Sequence, residues 1–303
     1  MRMENGKMAI PESKLETWSH QGAVPGSRDT YATVKRALEA ANTKYADKKY
    51  EVFLQGSYCN DTNIFSESDV DVVIRLIATY NYSVDALNAQ DRAAFDAAFV
   101  PATYLLSDFK ADVIAALEAS FPNAVHAGPN AIKIDASGNR RSADVLATTD
   151  FRKYTSFPAR TNGVYPDAIF FINGAGERIV NYPKLHSANC TTKHQATNSM
   201  FKPMVRILKN AREKLETDKA IKEGTAPSYY LEGLLYNAPN DKFVGKYGDA
   251  IVATMNWILD ADRSTFRCAH GQSSLLGNSS TSWAADKCDL FLNAFKKLWK
   301  EWA

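Results

Sequence analysis

Asp69 and Asp71 are the residues whose type and spacing most directly suggest chemistry in this chain. They open an alternating, β-branched run, Asp69-Val-Asp-Val-Val-Ile-Arg-Leu, that reads as a strand. A strand repeats every two residues, so both carboxylates point to one face. Like charges held that close repel, and burying them unpaired is costly. A divalent cation between them removes both difficulties, and oxygen-only donors favour Mg2+ or Mn2+ over zinc or copper. On its own, Asp-x-Asp is a common pattern that more often describes an exposed edge strand with two surface acids.

Three neighbours shift the reading towards catalysis. Gly56-Ser57 lies upstream, after one apolar run and before a polar segment. A glycine there lets backbone approach a phosphate closely, and the serine adds a hydroxyl donor. Ser57 precedes Asp69 by 12 residues, enough for a loop or helical turn that brings the two together. Asp144, in Arg141-Ser-Ala-Asp-Val-Leu, sits in a second predicted strand that can lie beside the first and add a third carboxylate. Three acids suit a two-metal phosphoryl-transfer site. Asp69 and Asp71 would bridge both ions; Asp144 would hold the ion that activates the attacking hydroxyl, and accept its proton. One metal lowers the hydroxyl's pKa and the other neutralises the leaving pyrophosphate. The expected cofactor is two Mg2+ ions, with Mn2+ able to substitute.

The surrounding pattern supplies elements to position these groups. Residues 12–20 and 28–42 read as helices, and Glu51-Val-Phe-Leu as a short buried strand. Residues 90–119 read as mostly helical with an interruption near Pro101. Ala131-Ile-Lys-Ile-Asp alternates, Ser137-Gly-Asn signals a turn, and the segment from Arg141 is its hairpin partner. Two more short strands fit 168–172 and 177–181. From about 195 the character changes: 197–216, 227–236, 248–261 and 283–300 read as amphipathic helices. An α/β part, 1–185, is therefore followed by a helical part, 186–303.

The 303 residues are 45% hydrophobic and 23% charged, ordinary for a globular chain, which excludes wholesale disorder and fibrous repeats. A net charge of +2 advertises no broad nucleic-acid or membrane surface, so any polyanion site must be local. The first residues lack the apolar core of a secretory signal, and no apolar run approaches the ~20 residues of a membrane span. Four cysteines without a Cys-x-x-Cys make no disulfide framework. A cytoplasmic protein with reduced thiols is expected.

The run Gln55-Gly-Ser-Tyr-Cys-Asn-Asp-Thr-Asn-Ile followed by Ser68-Asp-Val-Asp-Val-Val-Ile resembles the signature of polymerase-β-type nucleotidyltransferases. Its form is similar to that of the bacterial CD-NTases (cGAS/DncV-like nucleotidyltransferases), relatives of animal cyclic GMP–AMP synthase and oligoadenylate synthetase. Ala143-Asp-Val-Leu, the block from Ile179, the block from Asn198 and Ala226-Pro-Ser-Tyr-Tyr-Leu-Glu-Gly-Leu-Leu-Tyr continue the resemblance in order, over roughly residues 12 to 236. It implies an α+β fold: a polymerase-β-like palm, a mixed sheet with flanking helices, plus a C-terminal helical lobe, bilobal with a central cleft. It implies that nucleoside triphosphates (ATP, GTP or UTP) are joined into a cyclic di- or trinucleotide messenger with release of pyrophosphate. In bacteria such messengers serve anti-phage defence of the CBASS type by acting on a separate effector protein. A monomer with no obligatory nucleic acid and no membrane partner is expected.

Residue by residue, Gly56 and Ser57, with Gln55 before them, match the phosphate-binding turn, and Asp69, Asp71 and Asp144 the metal triad. Lys209 matches a lysine that meets the triphosphate, Ser228 a serine on the same phosphates, and Tyr229 a base-stacking tyrosine. Lys202, seven residues before Lys209, shares its helix face and joins the set; Asn181 is a candidate reader of a base edge or a turn residue. Leu146-Ala-Thr departs from the Val-Pro expected after the third acid.

His186, Cys190 and His194 recur every four residues, but three ligands leave a tetrahedral site incomplete, and their segment reads as loop, so no zinc is assigned. Cys59 reads as an inert thiol. Lys296, Lys297 and Lys300 belong to an ordinary amphipathic end helix. The competing function is a template-independent transferase adding nucleotides to an RNA end or a small hydroxyl acceptor. A degenerate, non-catalytic nucleotide binder is the third reading, against which the intact acid triad speaks.

Overall fold

The computed structural model describes residues 3–4, 9–22, 25–65, 69–158 and 163–302. Ser68 of the signature lies outside the described residues. Among them are ten α-helices and seven strands. The chain divides into two compact units, one of residues 25–55 and 68–184, the other of 1–24, 56–67 and 185–303.

The first unit is built on one mixed sheet. Its strands are β1 (Tyr50–Leu54), β2 (Val70–Ser83), β3 (Val125–Ala127), β4 (Ile132–Ile134), β5 (Ala143–Lys153), β6 (Ala168–Ile172) and β7 (Arg178–Asn181). The order is β1-β2-β5-β4-β3, with β6 pairing β5 and β7. Only β2 and β5 run parallel. The first half of β5 pairs β4 and the second half pairs β6 along one edge, which requires a long strand. The missing proline after Asp144 fits this: β5 continues unbroken to Lys153. The alternation at 131–135 does become a hairpin partner of the Arg141 segment, and 168–172 pairs antiparallel with β7.

Val70, Val72 and Ile74 on β2 and Ala143, Val145 and Ala147 on β5 form one buried face. Asp71 and Asp144 alternate with these residues and so point to the opposite face. Helices α2 (Pro25–Leu38) and α5 (Leu106–Ser120) pack on the sheet, and α4 (Ala89–Ala98) completes the unit. The Asn88 side chain caps α4 by accepting from the Asp91 N–H. Arg75 in mid-β2 is buried among acids. It forms a two-pronged contact with Asp167 at 3.0 Å for each bond, reaches Asp150 at 3.5 Å, and pairs with Glu51.

The second unit is helical: α1 (Glu12–Ser19), α3 (Gly56–Cys59), α6 (Pro183–Ala196, within it from Leu185), α7 (Phe201–Thr217), α8 (Ser228–Asn237), α9 (Tyr247–Asp260) and α10 (Ala285–Lys300). Phe201, Met204, Val205, Leu208, Ala211 and Leu215 of α7 follow helical spacing and are buried in its core, which also holds Trp283 and Trp299. Glu12 caps α9, accepting from the Tyr247 and Gly248 N–H groups at 2.7 and 2.9 Å.

Two expectations change here. Residues 183–196 are a helix, not a loop; Pro183 takes the first helical position, where its missing N–H costs nothing. The helix expected from 197 starts at Phe201, because Asn198 and Ser199 take left-handed conformations (φ +48° and +64°) that end α6.

Candidate active site

Within the sheet unit the three acids meet on one face. Asp69 directly precedes β2, and Asp71 lies two residues on, so their side chains share a face. Asp71 and Asp144 are register partners across the parallel β2–β5 pair. The register is held by the Val70 N–H donating to the Ser142 carbonyl at 3.0 Å, and the Ser142 hydroxyl donates to Asp69 Oδ1. Asp69 is exposed; Asp71 and Asp144 are half-buried. Further along the same face, Val73 and Leu146 pack with Ile169 and give the site a dry floor.

The electrostatics carry the mark of crowded negative charge. Burial first, and then the Asp69 carboxylate, hold the Asp144 carboxyl above the ordinary aspartate range; Lys133 opposes them. Lys133 is the register partner of Asp144 on β4. Neither Lys133 nor Ser142 was singled out from the sequence. Lys133 occupies the polar position of the Ile-Lys-Ile alternation, which places it on the Asp144 face once the hairpin register is known. Three carboxylate donors gathered on one face fit a divalent cation: Asp69, Asp71 and Asp144 would hold it.

Gln55 and Asn181 belong to the same unit. The Gln55 N–H donates to the Asp71 carbonyl at 3.0 Å, extending the β1–β2 ladder to the point where the Gly56-Ser57 turn begins. Asn181 ends β7, and its Oδ1 accepts from the Tyr182 N–H at 2.8 Å, a turn role.

The remaining candidates lie in the helical unit. Gly56 has φ +68°, a left-handed conformation that favours glycine, and it opens α3. The turn closes on itself: the Asn60 N–H donates to the Gly56 carbonyl at 3.1 Å and the Thr62 N–H to the Ser57 carbonyl at 2.9 Å. Cys59 beside it has its thiol pushed up by burial.

Lys202 and Lys209 do share a helix face, but it is the buried one. Lys202 Nζ pairs with Asp61 at 2.9 Å, and the fully enclosed Lys209 Nζ donates to the Thr62 carbonyl at 2.9 Å. Both ammonium groups thus grip the loop that follows the Gly56-Ser57 turn, where the sequence suggests a shared face meeting a triphosphate. The Ser228 hydroxyl accepts from Arg212 at 2.9 Å. Tyr229 lays one face against His186, with ring centres 4.8 Å apart and planes 23° from parallel, and burial pushes its hydroxyl up.

The sequence reading missed the buried polar centre of this unit. Glu232 on α8 accepts from Thr62 Oγ1 at 2.5 Å, Asn60 Nδ2 at 2.9 Å and His186 at 2.6 Å. The signal was an acid inside the apolar run Tyr229-Tyr-Leu-Glu-Gly-Leu-Leu, where a carboxylate needs buried partners. His194 stands apart from the His186–Cys190 pair: its Nδ1 accepts from the Lys202 N–H.

Residues 188–300 match the cGAS/DncV-like nucleotidyltransferase C-terminal helical domain. A cyclic UMP-AMP synthase of Rhodothermus marinus is 38% identical over 296 residues, spanning 97% of this chain and 99% of that protein. The cyclic nucleotide synthase CdnE01 of Staphylococcus haemolyticus is 35% identical, spanning 97% and 100%. The structure of Rhodothermus marinus CdnE c-UMP-AMP synthase with Apcpp and Upnpp superposes with a TM-score of 0.87 at 37% identity, over 97% of this chain and 98% of that one. That of Elizabethkingia meningoseptica CdnE cyclic dinucleotide synthase with GTP and Apcpp superposes at 0.74 with 26% identity, over 96% and 98%.

Fold and site together define a nucleotidyltransferase with a mixed sheet, flanking helices and a C-terminal helical domain. The chain belongs to the CD-NTase family, and within it to the cyclic nucleotide synthases. No helix among the described residues is long and apolar enough to cross a membrane.

Proposed function

We propose that this chain joins a pyrimidine and a purine nucleoside triphosphate, UTP and ATP first among the candidates, into a cyclic dinucleotide and releases pyrophosphate. The choice of bases follows the Rhodothermus marinus relative, a cyclic UMP-AMP synthase similar to this chain over 97% of its length. The observation that carries the chemistry is the acid triad: Asp69 and Asp71 at the start of β2, with Asp144 in register beside Asp71 on β5.

In this reading the three carboxylates hold two Mg2+ ions, which Mn2+ can replace. When bound, the ions supply charge neutralisation at the phosphates and acidify the attacking hydroxyl. Asp144 receives that hydroxyl's proton. Asp144 stands on β5 beside Asp71, across from the Asp69–Asp71 strand, which leaves it the member of the triad free of the β2 pair to take up a proton. Asp69 is held in place by the Ser142 hydroxyl, and Asp71 by the strand register. Gly56 and Ser57 bind the triphosphate, the glycine through its left-handed turn and the serine through its hydroxyl. Ser228 serves the same phosphates and Tyr229 stacks on a base, as in the family pattern. The messenger acts on a separate effector in anti-phage defence.

The experiment is to incubate the protein with each pair of labelled triphosphates and Mg2+ or Mn2+ and to identify the product by mass spectrometry. A phosphatase-resistant cyclic product, richest with UTP and ATP, is expected. A linear, phosphatase-sensitive product would overturn the cyclisation. A cyclic product from purines alone would overturn the base choice.

A further inference from the structure

Glu232 has a carboxylate inside a helical core, 3% exposed, in an apolar stretch of α8. Burial raises the cost of that charge, and the surroundings reverse it: hydrogen bonding and charge from His186 first, then Lys209 and Thr62, hold the carboxyl below its ordinary range. A core built only for packing has no use for such a group. What distinguishes Glu232 is where its hydrogen bonds go. Two of the three come from Asn60 and Thr62, side chains on either side of Asp61.

Asp61 sits at φ +55°, in the left-handed region, which aspartate enters more readily than most non-glycine residues. Its neighbours hold it there. Asn60 and Thr62 are tied to Glu232, the Asp61 carboxylate to Lys202, the Asp61 carbonyl to Arg206, and the Thr62 carbonyl to Lys209. The main chain of the same two residues closes the turn above. The Asn60 N–H holds the Gly56 carbonyl and the Thr62 N–H holds the Ser57 carbonyl. A continuous path of hydrogen bonds therefore runs from Glu232 through Thr62 to Ser57, and a second from Glu232 through Asn60 to Gly56.

We infer that Glu232 is a positioning residue for the reaction: it locks the Asn60–Thr62 turn and thereby sets the geometry of the Gly56-Ser57 turn. This rests on the reading of that turn as the triphosphate cradle. His186 completes the lock from α6, donating to the carboxylate while its ring packs on Tyr229. His186, Cys190 and Glu232 have ligand atoms within 4.8 Å of one another, close enough for a metal. The carboxylate oxygens already accept from Thr62, Asn60 and His186, however, which makes the cluster a hydrogen-bonded lock.

The test compares wild type with Glu232→Gln, Thr62→Val, Thr62→Ser and the double variant Glu232→Gln/Thr62→Val. Pyrophosphate release with Mg2+ gives kcat and KM; melting temperature and bound zinc are measured on the same samples. Glu232→Gln and Thr62→Val should each raise KM about tenfold and lower kcat by a similar factor, since small misplacements of a binding group are amplified in rate. Thr62→Ser, which keeps the hydroxyl, should restore wild-type kinetics. The double variant should be no worse than the poorer single one, because both break the same path. If Glu232→Gln does not fold, the Thr62→Val and Thr62→Ser pair decides. Wild-type kinetics in folded Glu232→Gln, independent losses in the double variant, or equimolar zinc that disappears with Glu232→Gln would each overturn the inference. Asp69→Ala/Asp71→Ala runs alongside. If it stays active, the catalytic reading itself has failed; if it is dead while the Glu232 and Thr62 variants are normal, only the positioning role has failed.

Discussion

Asp71 and Asp144 face each other as register partners across the one parallel strand pair of the sheet, 73 residues apart in sequence. Parallel pairing places partners on the same face, so this register alone turns two distant acids into one site. Asp69 joins from two residues away on the same strand. If the triad works as one charge-stabilising unit, removing any member removes most of the effect. Asp69→Ala, Asp71→Ala and Asp144→Ala should each lower pyrophosphate release about 10³-fold or more, the rate equivalent of several kcal/mol of transition-state stabilisation. Double variants should add little further loss, measured in single-turnover assays under saturating Mg2+.

The raised Asp144 carboxyl makes a prediction of opposite sign for stability. An acid whose pKa is higher in the fold than in the unfolded chain contributes stability below its ordinary value of 3.8, and loses it as pH rises through the raised value. At neutral pH the charge is present at a cost. Asp144→Asn should therefore raise the melting temperature of metal-free protein at pH 7 by about 2 °C, while abolishing activity. Mg2+ should stabilise the wild type and leave Asp144→Asn nearly unmoved, a difference that narrows towards pH 4. Calorimetry with and without chelator checks both statements.

Arg75 gives a purely structural counterpart in the same strand. Its guanidinium is buried and shared among Asp167, Asp150 and Glu51. Arg75→Met leaves the buried Asp150 with Arg152 as its remaining ion-pair partner. The expected loss is about 3 kcal/mol in urea unfolding, as for breaking a buried ion pair from one side. Arg75→Lys should recover only part of it, because an ammonium cannot reproduce the two parallel bonds to Asp167.

The acid site was legible because strand periodicity is local and the Asp-x-Asp spacing alone fixes the shared face. The strand carrying Asp144 was legible from the Ser137-Gly-Asn turn that makes it the hairpin partner of 131–135; that it could lie beside β2 was an expectation which the register of the two strands meets. Helix α6 was not legible: its residues are mostly polar, only His186 and Cys190 are fully buried, and its one clear start signal is Pro183. The Glu232 centre was hidden for a different reason. Its partners, Asn60, Thr62 and His186, lie 46 to 172 residues away, and no periodic pattern connects them.

Lys209 tests the line between a direct and an indirect role. The family resemblance places this lysine on the triphosphate, whereas here its ammonium is fully enclosed and donates to the Thr62 carbonyl beside Glu232. Lys209→Met removes a buried cation next to a buried carboxylate. The expected cost is about 3 kcal/mol of stability, of the order found when one partner of a buried pair is lost. Because the Thr62 carbonyl also loses its donor, the Gly56-Ser57 turn should loosen and, if that turn cradles the triphosphate as proposed, KM for nucleoside triphosphate should rise together with the fall in stability. Urea unfolding and steady-state kinetics on the same preparation separate the two roles. A large rise in KM with unchanged unfolding would place the ammonium on the phosphates, whereas a coupled change is the outcome this geometry requires.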